Sequence, residues 1–265
     1  MDLPPTDEIG GAVTRRQVLR LISGAGLAAT ANGCSNSPGQ AIGTTAPSIA
    51  TTQEPQRASA STVPPAAKPN PATLLCRDSW GARPARPGGR PHTVNRLTLH
   101  HSGVVLGDNT RAPSRLRQHQ RYHQDSHGWI DIAYHLSVDR NGHIYELRAP
   151  QLAGDTATDY ETTGHFLVVC EGDFDKESLT DPQIRSTAMA FAWAAQTFGV
   201  APSTLAGHRD LASTACPGAN LYEHLSSGDL LQRIEKLIAG GGVDLQQLCG
   251  PAAAAIIEAI ESGQR

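Results

Sequence analysis

The sequence predicts an α/β domain: a single mixed central β-sheet flanked by helices, with a helical extension at its C-terminal end. Three observations carry this. From residue 73 onward, stretches of β-type alternation take turns with stretches of helical period; one strong hairpin signal joins two of the strands; and one strand reads as a continuous apolar run, as expected where both faces are covered.

Taken in order, "VNRLTLH" (94–100) alternates and is rich in β-favouring residues, and "PSRLRQHQRYHQ" (113–124) reads as a polar-rich helix opened by Pro113. "IDIAYHLSV" (130–138) and "HIYEL" (143–147) read as strands flanking "DRNG", where Asn141-Gly142 is the turn signal. "FLVVCEG" (166–172) is the continuous apolar run. The longest helix spans Thr180 to Phe198. Thr180 and Gln183 match a capping box, Pro182 suits the first turn, Ile184, Ala188, Phe191, Ala195 and Phe198 form one stripe, and Gly199 ends it. A second amphipathic helix turns Leu230, Ile234, Leu237 and Ile238 inward. Gly240, Gly241 and Gly242 then break the chain before a final Ala/Ile-rich helix, so the folded domain is expected over 73–239 and the helical extension over 240–265.

The segment before the domain is of another kind. Residues 35–72 are almost entirely Ala, Pro, Thr, Ser, Gly, Gln and Asn, too poor in large apolar side chains to offset the entropy of ordering, and read as a flexible linker. Residues 1–34 read as an export signal of the twin-arginine kind: Arg15 and Arg16 precede "LISGAGLAATA", a run too short and too Gly/Ala-rich to span a bilayer. Two fates are open to it. Cleavage after Ala31 would satisfy the small-residue rule, whereas lipidation of Cys34 in a degenerate lipobox would tether the mature protein to a membrane through the linker. Either places the domain in an extracytoplasmic space, cell wall or periplasm-like. Export allows a disulfide, and Cys76 and Cys249, near the two ends of the folded region, are the expected pair; Cys170 reads as a buried apolar thiol. The net charge of −3, with no dense Lys/Arg block, excludes a nucleic-acid partner, and the domain is expected to be monomeric.

The chemistry centres on "GHRDLASTACPGAN" (207–220), which puts His208 and Cys216 on one loop. Two such donors suggest a metal, and a hydrolytic zinc needs a third ligand and one open position. "LTLHHSG" supplies a histidine pair at a strand end. Adjacent strand residues face opposite sides, so His100 shares a face with Thr98 and Arg96, while His101 shares one with Leu97 and Leu99; the polar face suits a groove, which selects His100. His92, His119, His123, His127, His143, His165 and His224 read as satisfied core or surface residues.

Four motifs in order, "LTLHHSG", "HGWIDIAYHLSVDRNGHIYE", "EGDF" and "GHRDLASTACPG", resemble the zinc-dependent N-acetylmuramoyl-L-alanine amidases of the phage-lysozyme and peptidoglycan-recognition-protein family over residues 77–225. The resemblance implies an exported hydrolase of peptidoglycan or its muramyl-peptide fragments that uses Zn2+ to cleave the amide between N-acetylmuramic acid and L-alanine, with a non-catalytic peptidoglycan-binding module as the alternative. It implies His100, His208 and Cys216 as zinc ligands, Tyr134 as a catalytic phenol and Thr214 as a hydroxyl beside the metal, the two donors steadying a developing oxyanion. Arg148 matches an arginine that could meet a peptide carboxylate. Some relatives place a general-base glutamate on this strand, where Glu171 is the one carboxylate, but the family's functional position aligns with Val169, so Glu171 reads as a solvated strand-end charge. Asp155 stands where many recognition proteins have a histidine, and the Gly-Trp pair that helps some members read the third stem-peptide residue is missing from "YELRAP".

Overall fold

A computed structural model describes residues 67–264. The expected export signal, with Ala31 and Cys34, and most of the expected linker lie outside the described residues. Twelve elements follow in order: β1 (Asn70–Leu75), β2 (Arg96–His101), α1 (Ala112–Asp125), β3 (Leu136–Val138), β4 (Ile144–Glu146), β5 (His165–Cys170), α2 (Asp181–Phe198), β6 (Ala206–Gly207), α3 (Ala219–Ser226), α4 (Asp229–Ala239), β7 (Val243–Leu248) and α5 (Gly250–Glu261). They form one mixed seven-stranded sheet flanked by helices, in the order β6-β2-β5-β3-β4-β1-β7. The sheet is two parallel halves, β6-β2-β5-β3 and β4-β1-β7, joined where β3 and β4 pair antiparallel. That junction is the hairpin at Asn141-Gly142. Gly142 takes φ +85°, and Asp139 caps the turn by accepting from the N–H groups of Asn141 and His143 at 3.0 and 2.9 Å.

The two faces of the sheet pack against two different cores. Leu97, Leu99, Leu136, Val138, Phe166 and Val168 face α2 and α4; Tyr145, Leu147 and Val169 face the other side, with Leu116 of α1 and Ile257 and Ile260 of α5. Helix α2 begins as its sequence requires, with the Thr180 hydroxyl accepting from the Gln183 N–H at 3.2 Å, and ends at Gly199 in the left-handed region. The Gln183 side chain does not reach back as in a capping box; it donates to the carbonyls of Val138 and Glu171 and fastens the helix to the sheet.

Three boundaries differ from expectation. Of 130–138 only Leu136–Val138 is strand, because the buried Arg148 guanidinium takes the carbonyls of Asp131 and Ile132 that a ladder would use. Residues 70–72, compositionally part of the linker, belong to β1 and pair with β7 from Asn70↔Val243 onward. The segment 240–265 is not wholly helical: after a turn at Gly241 and Gly242, Val243–Leu248 forms β7, an edge strand, before α5. The apolar alternation Val243, Leu245 was available to reveal it. Cys76 and Cys249 close this end with a disulfide, their Cα atoms 5.0 Å apart, and Cys170 is buried.

The C-terminal segment is therefore part of the packed domain, and α5 covers the second core. Ile260, fully buried, is the test: Ile260→Ala should cost about 2–4 kcal/mol and lower the chemical-denaturation midpoint accordingly. An unchanged midpoint would show that α5 contributes no core.

Candidate metal centre

Strand register brings the first two donors together. β2 and β6 are parallel with Leu99 opposite Gly207, so the next residues along each, His100 and His208, project side by side from the strand ends, their ring centroids 4.7 Å apart. Cys216 returns to the same place after eight residues. The turn at His208–Asp210 is held by the Asp210 carboxylate, which accepts from the Gly207 N–H at 2.8 Å and from the Tyr222 hydroxyl at 2.5 Å, and the Arg209 N–H donates to the Cys216 carbonyl at 2.9 Å. Gly218, at φ +85°, then passes so close to Phe174 and His101 that a Cβ would lie 2.7 and 2.9 Å from them, which fixes the Pro-Gly end of the motif.

One ligand atom from each of His100, His208 and Cys216 lies within 4.8 Å of the other two, and all three residues are buried. Cys216 Sγ is 3.6 Å from His100 Nδ1 and accepts from the His101 backbone N–H at 3.4 Å. Each imidazole also meets a hydroxyl: His100 Nε2 lies 3.3 Å from the Tyr160 phenol and His208 Nε2 lies 2.6 Å from Thr158 Oγ1. Such outer partners orient metal-binding imidazoles and fix their tautomers. Burial holds His100 well below the ordinary imidazole range and His208 at about 4, so both keep a lone pair at neutral pH. Burial pushes the Cys216 thiol up to about 12, a group that would ionise only with a cation beside it. Two neutral imidazoles and one thiol, buried and convergent, form a donor set that fits zinc. The other metal-like grouping among the described residues, Cys76, Asp78 and Cys249, has its sulfurs in the disulfide.

The three donors lie in the floor of a groove of about 330 Å³. Tyr134 and Thr214 line it too, the Tyr134 ring 5.1 Å from that of His100 and Thr214 Oγ1 accepting from the Cys216 N–H at 3.2 Å. Tyr134 sits in the irregular run before β3, where the Arg148 N–H holds its carbonyl at 3.0 Å; burial raises its phenol far above the ordinary range, so it stays protonated. His101 also borders the groove, but its ring stacks on Phe174 and its Nδ1 accepts from the Phe174 N–H at 3.3 Å. Arg148 is not among the groove residues: it is 2% exposed, and its guanidinium donates to the carbonyls of Ile132, Asp131 and Ala153 and to Asp155. Glu171 is not a solvated charge. It is fully buried under α1, accepts from Ser137 at 3.0 Å, faces His119 Nδ1 at 3.9 Å, and is raised to about 7 by burial.

Sequence reasoning passed over Thr158, Tyr160 and the groove wall formed by Tyr122, His123, His127 and Trp129, in which His127 and Trp129 stack with centroids 4.3 Å apart. His127 and Trp129 belong to the motif that begins at His127 and Tyr122 and His123 to the helix at 113–124, but "TATDY" (156–160) holds its partners only through tertiary contact.

Four imidazoles away from the donor set are held neutral by burial, His119 and His165 at about 4 and His123 and His135 at about 3. Their folded values lie below the unfolded 6.5, so their contribution is intact above pH 6.5 and is lost as pH falls toward 4; Glu171 alone runs the other way. Metal-free protein should therefore show a lower denaturant midpoint at pH 5 than at pH 7.5, with net proton uptake on unfolding. A midpoint that holds or rises would contradict this.

The comparisons with known proteins agree with this architecture. The sequence profile of a family described as N-acetylmuramoyl-L-alanine amidase matches residues 90–219. The human N-acetylmuramoyl-L-alanine amidase is 34% identical over 159 residues, 57% of this chain but only 27% of that protein. Drosophila melanogaster peptidoglycan-recognition protein SC2 is 28% identical over 158 residues, 58% of this chain and 84% of that protein. Among solved structures, wild-type Drosophila PGRP-LB superposes with a TM-score of 0.53 at 27% identity, over 59% of this chain and 94% of that one. Residues 90–219, which carry His100, His208 and Cys216, match the N-acetylmuramoyl-L-alanine amidase family, and the domain is similar both to amidases and to peptidoglycan-recognition proteins.

Proposed function

We propose that this chain is an exported, zinc-dependent peptidoglycan hydrolase that cuts the amide joining N-acetylmuramic acid to L-alanine of the stem peptide. The observation that carries the reading is the convergence of two neutral imidazoles and a thiol in the floor of an open groove. A peptidoglycan partner is further supported by a structural relative, peptidoglycan recognition protein-LE, solved in complex with tracheal cytotoxin, a monomeric diaminopimelic acid-type peptidoglycan (TM-score 0.54, 26% identity). A module that only grips its ligand has no use for a complete donor set, and Cys216 therefore favours cutting over recognition alone. Export, with signal cleavage after Ala31 or a lipid on Cys34, and action as a monomer belong to the same proposal.

His100, His208 and Cys216 would hold the ion, which when bound lowers the pKa of water and polarises an amide carbonyl. The remaining work falls to the chain's own groups. Thr158 and Tyr160 keep the two imidazoles turned inward, and the His101 N–H supports the Cys216 sulfur. Tyr134, protonated and in the groove wall, donates a hydrogen bond to the amide oxygen as it gains charge. Thr214 accepts from the Cys216 N–H and so has its own proton to offer the substrate. Glu171, enclosed beneath α1 and away from the groove, takes no part as a base.

Digestion of purified peptidoglycan by the zinc-loaded chain should release stem peptides with a free L-alanine amino group and leave peptide-free muramic acid, read by mass spectrometry. Exhaustive chelation should abolish the release and zinc should restore it. Peptidoglycan that is bound but left uncut would assign a recognition module. In the same assay Tyr134→Phe should lower kcat about 100-fold with zinc content unchanged; a variant with full turnover would remove the phenol from the mechanism.

A further inference from the structure

A muramyl stem peptide carries free carboxyl groups close to the scissile amide, the nearest on the acidic residue that follows L-alanine. Proteins that draw such a group out of water ordinarily meet it with a guanidinium or ammonium, because an unpaired carboxylate in a partly dry site is costly. Among the described residues, no lysine or arginine side chain lines this groove. Arg148, beneath the wall, is spent on three carbonyls and Asp155. The carboxylate that does line the groove is Asp155, whose side chain is 25% exposed. Arg148 occupies its Oδ2, which leaves Oδ1 to accept from a ligand. The wall therefore presents a carboxylate acceptor with no lysine or arginine beside it in the groove, which leaves a free acid only neutral hydroxyl donors.

We propose that Asp155 makes the groove selective for stem peptides whose carboxyl nearest the scissile bond is capped as a carboxamide, the amide N–H donating to the oxygen that Arg148 leaves free. The selectivity deepens the hydrolase reading above and rests on it. It is a difference of affinities in which the free acid is disfavoured for lack of a lysine or arginine partner as much as the amide is attracted.

The probes are two muramyl-tripeptides that differ only at the α-carboxyl of D-isoglutamate, free in one and a carboxamide in the other. A metal ion at the scissile end attracts the free acid and not the carboxamide, so a preference for the carboxamide is read against that bias. With the zinc-loaded full chain at pH 8, above the ordinary imidazole range, kcat/KM by product release and Kd by calorimetry should each favour the carboxamide about tenfold. Asp155→Asn, which keeps a carbonyl to accept from Arg148, should bring the ratio below about threefold. Should that variant fail to fold, raising the salt from 0.05 to 0.5 M with the unaltered protein should narrow the ratio by screening. Equal handling of the two probes, or preference for the free acid, overturns the proposal and leaves hydrolysis standing, as does a ratio untouched by Asp155→Asn or, in its place, by salt. Biased binding of both probes without cleavage would keep the selectivity and refute the hydrolase; failure to bind or cut either refutes both.

Discussion

The site depends on one register. Pairing Leu99 with Gly207 in a parallel ladder makes His100 and His208 neighbours on the same face of the sheet, and the two hydrogen bonds to Asp210 then turn the chain so that Cys216 comes back beneath them. A slip of one residue in either strand would send one imidazole to the opposite face, into the core with Leu97 and Leu99. The ladder is short, because β6 has only two residues, so its position is secured by the loop and by α3 as much as by strand pairing.

The second constraint is the buried guanidinium of Arg148. By taking the carbonyls of Asp131, Ile132 and Ala153 it prevents the approach to β3 from continuing as strand, and that irregular run carries Tyr134 to the groove. The same guanidinium binds Asp155 on the groove wall. One internal cation thus shapes two of the side chains that face a ligand, while Asp131 is fixed from its other side by Arg77 at 2.7 Å. An arginine that reads from sequence as a ligand-binding charge acts here as part of the frame.

Much of the fold was legible because local signals agreed with tertiary need: the Thr180 cap, the Ile184-to-Phe198 stripe and the Asn141-Gly142 turn each act within a few residues. The choice of His100 over His101 followed from strand alternation; the His100 ring lies against His208 and the His101 ring stacks on Phe174. What was not legible depended on partners far away in sequence. Arg148 reads as a charge that meets a ligand and Glu171 as a solvated one because nothing in their own segments announces burial, yet one is held by backbone carbonyls and the other by Ser137 and the underside of α1. Thr158 and Tyr160 gain their roles only because their loop crosses over the imidazoles. β7 was hidden by the glycine run before it and the Ala/Ile run after it.

The central claim is that His100, His208 and Cys216 share a single ion, and X-ray absorption at the zinc edge of the loaded chain tests it most directly. The account predicts one zinc per chain with two nitrogen ligands and one sulfur ligand, and loss of the sulfur signal in Cys216→Ser. A native spectrum without sulfur, or one that needs two sulfurs, would contradict it.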